Sequence, residues 1–405
     1  MASADGYSID VARPRASVVA ALAGGEIAGL DGLRALSVLA VMFAHFGFGH
    51  IVPGGLGVTV FFFISGFLIT TLMLREAHAT GGVAIGRFYA RRLLRLQPEL
   101  WGLLVVSGIG GILINHWPTV LDVTSGVFYL SNYAKIGTFT GGILPDMRWP
   151  QLWSLAVEEH YYLTYPLLFV ALIRMPKRLA AVLLAVLVGA LALRFGYYFA
   201  GADTDAIYSA TETRIDSIAY GCIGALGLWY LPEDVARFIS RNRTALAVFA
   251  IVVLCASITL RDAMFRDTLR YSMQGMALLI LSASLYIGSP NAIGIQLLEN
   301  PMLKWMGRMS YGAYLWHLEV GSLFERSIGM ELRTSPSVTA ALLALTLVVL
   351  SFGAAWVSFV AFQRPVAALR HRFGADPRAP IAGALADAMP DVKVEPVPVK
   401  ARRRR

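Results

Sequence analysis

The chain has 405 residues, of which 57% are hydrophobic and only 15% charged, with a mean hydropathy of +0.61. Soluble domains carry roughly 25% charged residues, so the composition excludes an ordinary soluble enzyme and points to an integral membrane protein. The net charge of +9 does not call for a nucleic-acid partner, because the arginines stand at the ends of apolar segments and in a tail ending ARRRR, where membrane topology accounts for them.

Before Leu30 there is no basic start followed by an apolar core and a small-residue cleavage site, so the first spanning helix is expected to act as the insertion signal. Apolar stretches of about 17 to 25 residues then predict spanning helices near 30–48, 57–74, 96–115, 152–173, 178–199, 214–230, 244–260, 269–287, 305–324 and 338–362. Arginines and lysines cluster after the second, fourth and sixth of these: Arg75, Arg87, Arg91, Arg92 and Arg95; then Arg174, Lys177 and Arg178; then Arg237, Arg241 and Arg243. The alternate loops are poorer in positive charge, and the stretch 116–151 holds only Lys135 and Arg148. By the positive-inside rule the basic loops are cytoplasmic. The expected fold is an all-α bundle of about ten transmembrane helices with both termini cytoplasmic. A cytoplasmic segment spans 1–29, a membrane domain 30–365, and a basic, disordered tail 366–405, with no soluble domain after it. Cys222 and Cys255 both fall in apolar runs and read as buried thiols, not as a disulfide or a zinc site.

Polar residues inside such helices are costly to bury, and each is a candidate for function. In the first helix, Arg34 and His45 are eleven positions apart, which brings them within about 20° of one face and about 16 Å apart along the axis. Arg34 then lies near the cytoplasmic end and His45 in the outer half. Arg34 is either a snorkelling arginine paired with Asp31 or a functional cation, and His45 is either a bonded core histidine or a base. Arg92 and Arg95 stand about one turn apart at the cytoplasmic mouth of the third helix, suited either to phosphates or to anchoring topology. In the fourth helix Ser154, Glu158, Tyr161 and Tyr165 share one face, while Glu159 lies about 100° round with Tyr162. In the ninth, Ser310, Tyr314, His317 and Gly321 share a face that lines a cavity or joins helices. Arg214 and Asp216 open the sixth helix as an ion pair or a binding element. A metal site from His45, His50 and His317 lacks helical ligand spacing, and none is expected.

Taken in order, these segments resemble membrane acyltransferase family 3, the O-acyltransferases of bacterial surface polysaccharides. The resemblance rests on LDGLRALSVLAVMFAHF with Arg34 and His45, on GVTVFFFISGFLI with Ser65 and Gly66, and on Arg92-x-x-Arg95. It continues through LWSLAVEEHYYLTYP and LKWMGRMSYGAYLWH, and covers residues 30 to about 365. The chain departs from the family where Thr59 replaces a frequent acidic residue and Gln363 replaces the Glu of a Glu-Arg-Pro that continues here in Arg364 and Pro365. Many relatives also carry an extracytoplasmic hydrolase-like domain.

The resemblance implies a multi-pass enzyme of the bacterial inner membrane that moves an acyl group, acetyl foremost, from cytoplasmic acyl-coenzyme A to a hydroxyl of an extracytoplasmic glycan or glycolipid. Acyl-coenzyme A would be a co-substrate, with no permanently bound cofactor, no metal and no nucleic acid. Lipopolysaccharide, exopolysaccharide, another surface glycan or a small secreted molecule all fit as acceptor. His45 would be the catalytic base or carry the acyl group covalently, and Glu158 or Glu159 would orient it or the acceptor. Arg34, Arg92 and Arg95 would bind the donor, and Ser65, Gly66, Ser154, Tyr161, Ser310, Tyr314 and His317 would line the pocket. The competing reading is a transporter or flippase of an acylated or lipid-linked sugar, which needs a polar path without consuming acyl-coenzyme A.

Overall fold

A computed structural model describes residues 26–113, 117–137, 147–287, 293–328 and 338–370. Most of the expected N-terminal segment and tail lies outside them. The described residues form helices and no strand. The long helices are α1 (Leu30–Phe43), α2 (Gly54–Thr80), α3 (Ile85–Leu113), α4 (Leu152–Leu172) and α5 (Pro176–Phe199). They continue as α6 (Thr211–Tyr230), α7 (Glu233–Thr259), α8 (Leu269–Tyr286), α9 (Pro301–Ile328) and α10 (Val338–Ser358).

Five helical stretches are long and apolar enough to cross a membrane: Leu30–Phe48, Gly54–Thr80, Pro176–Phe199, Glu233–Thr259 and Val338–Ala367. The protein is a multi-pass, all-helical membrane protein. The other five long helices overlap the remaining expected spans but are interrupted by polar side chains, among them Glu158, Glu159 and His160 in α4 and Arg214 and Asp216 in α6.

Close approach of backbones sets the register of the helices that carry the polar residues. A Cβ added to Gly66 would collide with the Ile218 carbonyl, and one added to Gly221 with the Phe63 carbonyl. Small residues at such contacts let α2 and α6 run side by side. Glycine likewise lets α9 lie against α1, since a Cβ on Gly307 would overlap the Asp31 carbonyl. The two helices run in the same direction: the Gly29 amide donates to Glu299 ahead of α9 at 2.7 Å, and His45 meets His317 at the far end. Gly57 of α2 packs on the Ser37 carbonyl and Gly54 on Ala44, so α2 returns antiparallel to α1.

The entry to α4 is fixed from the outer side of the bundle as the basic loops orient it. Thr119 and Asp122 form a reciprocal capping box, and Asp122 also accepts from the Arg148 amide at 3.0 Å. Arg148 pairs with Glu319 of α9 at 2.9 Å, Trp149 Nε1 donates to Ser107 at 2.8 Å, and Gln151 Nε2 donates to the Leu315 carbonyl at 2.9 Å. These bonds bring the start of α4 against α9.

The thiols divide. Cys222 is buried, but Cys255 is exposed, contrary to the expectation that both are buried; it sits on α7, whose apolar window is only 11% buried within the protein. An apolar run in a peripheral membrane helix faces outward, because lipid is as good a neighbour as the core.

Candidate active site

The site begins where α1 stops being an α-helix. Residues Ala44–Phe48 form a π-turn in which Phe46 (φ −89°, ψ 34°) and Gly47 (φ 96°) leave helical geometry. Gly47 supplies a left-handed conformation that a side chain would strain. Such π-turns concentrate at functional positions, and this one holds His45, a residue with exposed surface.

Beneath it lies His317 of α9, with no exposed surface. His45 Nδ1 and His317 Nε2 are 2.9 Å apart, and the rings stack at 5.0 Å. His317 Nδ1 is 2.6 Å from the Tyr314 carbonyl. A carbonyl only accepts, so with both rings neutral Nδ1 of His317 carries the proton and its Nε2 accepts. His45 Nδ1 must then be the donor. The tautomer assigned by this chain leaves His45 Nε2 unprotonated, the form a general base requires.

Tyr314 stacks near His317 at 5.5 Å; its hydroxyl donates to the Gln151 carbonyl at 3.0 Å and lies 2.6 Å from Ser154 Oγ. Ser310, also on α9, is buried. Thus Ser154 of α4 is joined to His45 through Tyr314 and His317 of α9.

A second polar cluster joins α2, α3 and α4. Ser65 donates to Glu158 at 2.8 Å. Arg92 makes two bonds to Glu159 Oε1 at 3.1 and 2.9 Å, and its guanidinium lies 3.0 Å from the centre of the Tyr162 ring. Arg34 is 3.5 Å from Asp31 and within electrostatic reach of Glu158. Arg95 is exposed and acts on Glu99.

This arrangement departs from the expected one in four respects. Of the two roles expected for Glu158 or Glu159, a bond to His45 is not formed: His45 meets His317, because α4 starts beside the histidines and its carboxylates stand more than one turn along it, on Ser65 and Arg92; the role at the acceptor hydroxyl is independent of this contact. Gly66 and Tyr161 are held in contacts between helices. Gly66 is the α2–α6 contact, and the Tyr161 hydroxyl is buried 3.0 Å from Cys222 Sγ. Asp216 pairs with Arg194 of α5 at 2.8 Å, not with Arg214, since positions two apart on a helix point about 200° from each other. Arg214 instead donates to Thr59 at 3.1 Å. The π-turn is a feature that sequence reasoning missed; Gly47 directly after the His45-Phe46 pair was its available signal. Lys135, Trp153 and Tyr208 also lie near this site, without any local pattern to mark them.

Among the described residues, no group of three or more His, Cys, Asp or Glu side chains is placed to hold a metal.

A bonded histidine pair, one ring buried, and a separate arginine-carboxylate cluster stand among the helices as groups able to take part in proton transfer and group transfer. The chain belongs to the acyltransferase domain family, whose model matches residues 27–360. It is 28% identical over 354 residues to "Peptidoglycan O-acetyltransferase OatA" of Listeria monocytogenes, covering 83% of this chain and 55% of that one. It is 31% identical over 317 residues to "Putative peptidoglycan O-acetyltransferase YrhL" of Bacillus subtilis, covering 73% and 48%. It is 30% identical over 308 residues to a "Putative O-acetyltransferase" of Staphylococcus aureus strain COL, covering 73% and 50%. The chain spans about half the length of the curated relatives it matches. No solved structure matches it.

Proposed function

We propose that the protein transfers an acetyl group from cytoplasmic acetyl-coenzyme A to a hydroxyl of a cell-surface glycan on the other side of the bacterial inner membrane. The observation that supports this reading is the hydrogen-bonded chain from His45 through His317 to the Tyr314 carbonyl, which with both rings neutral leaves His45 Nε2 free to take a proton. In this reading all ten long helices span the bilayer, the polar ones facing one another, and both termini are cytoplasmic.

His45 Nε2 removes the proton of the acceptor hydroxyl as its oxygen attacks the thioester carbonyl. The C–S bond then breaks, the new C–O ester remains on the glycan, and the coenzyme A thiolate takes the proton back from His45. His317 accepts the Nδ1 proton of the imidazolium throughout and so stabilises it; it is a positioning residue. Arg34 and Arg92 hold the donor's phosphates or its developing thioester charge, with Arg95 at the cytoplasmic mouth. Glu158 and Glu159 hold these arginines in place.

The test is reconstitution. Sealed proteoliposomes of one orientation, given labelled acetyl-coenzyme A on one side and a surface glycan on the other, should deposit base-labile label on the glycan only when the donor is on the side of Arg92. Label transfer that requires both substrates on one side would sink the transmembrane direction, and substrate movement without donor consumption would favour a transporter.

Arg92 offers a finer test. Lysine keeps the charge but loses the paired bonds to Glu159 and the stacking on Tyr162. Arg92→Lys should raise the KM for acetyl-coenzyme A about tenfold, equivalent to about 1.4 kcal/mol, with kcat little changed. An unchanged KM would make Arg92 a structural partner of Glu159 alone.

A further inference from the structure

Three groups outside the proposed machinery share the outer mouth with the histidine pair. Lys135 brings its ammonium to 5.9 Å from the Tyr208 ring and 6.0 Å from the Trp153 ring, and these two rings lie 4.7 Å apart. The lysine is lightly held. Its carboxylate contact is Asp205 at 3.5 Å, a side chain 46% exposed, and its bond to Ser209 is long at 3.4 Å. An ammonium offers three donors, so a further acceptor fits.

Behind the same rings stands Arg214, with no exposed surface. Its guanidinium lies 5.0 Å from the Tyr208 ring and 5.8 Å from that of Trp153. Its bonds go to the Thr59 hydroxyl and, at 3.4 Å, to the Tyr208 carbonyl, and its buried Nε has no partner. Among the described residues no carboxylate lies within ion-pairing distance of it. The nearby acids are engaged elsewhere: Asp216 by Arg194, and Glu212 by the hydroxyls of Tyr133 and Tyr197. Two cations thus flank one aromatic pair; Lys135 has the exposed Asp205 as its carboxylate contact, and Arg214 feels Asp216 only at longer range.

This cluster adjoins His45. The Tyr208 hydroxyl borders Gly55 at the start of α2, where a Cβ would lie 3.4 Å away, and Gly54 packs on Ala44, the neighbour of His45. Trp153 precedes Ser154, which bonds to Tyr314 beside His317. Lys135 is also the charged group whose field reaches the His45 ring.

We propose that Lys135 with the Tyr208 and Trp153 rings forms the acceptor subsite, and that it selects a sugar bearing a carboxylate or phosphate close to the hydroxyl that is acylated. The inference rests on the reading of His45 as the base that meets the acceptor. The partly exposed Tyr208 ring, backed by the buried Trp153, takes the apolar face of a sugar, Lys135 pairs with its anion, and Arg214 adds favourable potential without competing for contact, since its charge is spread over aromatic faces. Little water screens such a pair, so the charge discriminates strongly.

The test uses purified full-length protein carrying His45→Ala, which separates binding from transfer. Calorimetry should show trigalacturonate or galactose 6-phosphate binding at least about tenfold tighter than neutral trigalactose, a difference of about 1.4 kcal/mol; the tighter of the two charged probes identifies the substituent. Adding Lys135→Gln should abolish the difference, whereas Lys135→Arg should keep it, and both should unfold at the parent temperature. Equal binding of charged and neutral probes, no binding of either charged probe at millimolar concentration, or a preference that survives Lys135→Gln would overturn the proposal. Failure of the base assignment is read separately, as acetyl transfer by the His45→Ala protein.

Discussion

His45→Ala should abolish acetyl transfer while the protein still accumulates in the membrane at the parent level. Loss of a general base costs about 10²- to 10⁴-fold in rate. Stability should barely move, because the residue is exposed and its one bond joins a partner, His317, that keeps its own bond to the Tyr314 carbonyl. Mass spectrometry of the glycan together with quantitation of membrane-inserted protein checks both. Full acetylation by this variant would sink the role of His45.

His317 supplies the sharper test, because its role is to accept. His317→Ala removes the group that fixes the His45 tautomer and stabilises the imidazolium; a hydrogen bond to a charged group is worth about 1.5–3 kcal/mol, or about 10- to 100-fold in kcat. His317→Gln retains a side-chain acceptor near the same place and should recover part of that loss without changing the KM for acetyl-coenzyme A. A purely structural His317 would instead lower thermal stability in both variants and show no rescue of kcat by glutamine.

The two histidines illustrate what the sequence could and could not disclose. Arg34 and His45 could be marked in the sequence as ionisable residues within one apolar segment, but the 3.6-residue period used to relate them holds only to Phe43, and His45 lies in the π-turn beyond it. The stacking of Arg92 on Tyr162 with Glu159 had half of its geometry visible, since Glu159 and Tyr162 sit one turn apart. The pairings that make a site were not legible: His45 meets His317 across 272 positions, and Ser65 meets Glu158 across 93. No periodicity links such partners; they are set by glycine contacts such as Gly307 on Asp31 and Gly66 on Ile218, which a sequence reader sees only as small residues. The mistaken expectation about Cys255 has a related cause. Hydropathy reports that a segment avoids water, and in a membrane protein that leaves open whether a side chain meets lipid or the core.

Breaking the buried ion pair between Arg194 and Asp216 should be the most damaging single change to the fold. Both side chains have no exposed surface, and their atoms are 2.8 Å apart. Arg194 also donates to the Thr213 carbonyl and to Ser272 Oγ, each at 2.6 Å, so the pair ties α5, α6 and α8 together just behind Arg214. Asp216→Ala leaves the guanidinium buried with two neutral acceptors, and removing one partner of a buried pair costs about 3–5 kcal/mol. Replacing both, as Arg194→Met with Asp216→Leu, removes the uncompensated charge and should recover much of the loss. The thiols supply a readout: in a Cys255→Ser background, Cys222 is buried and becomes reactive toward a maleimide dye only on unfolding. Asp216→Ala should label at a clearly lower temperature than the parent, and the double variant at an intermediate one. If the single and double variants label at the same temperature, the loss is one of packing and the pair has no special electrostatic role. The outcome bears on function as well, because α6 carries Arg214 and α8 carries Tyr271, whose ring lies 4.0 Å from that guanidinium; a loosened α5–α6–α8 junction would move the cation that stands behind the outer mouth.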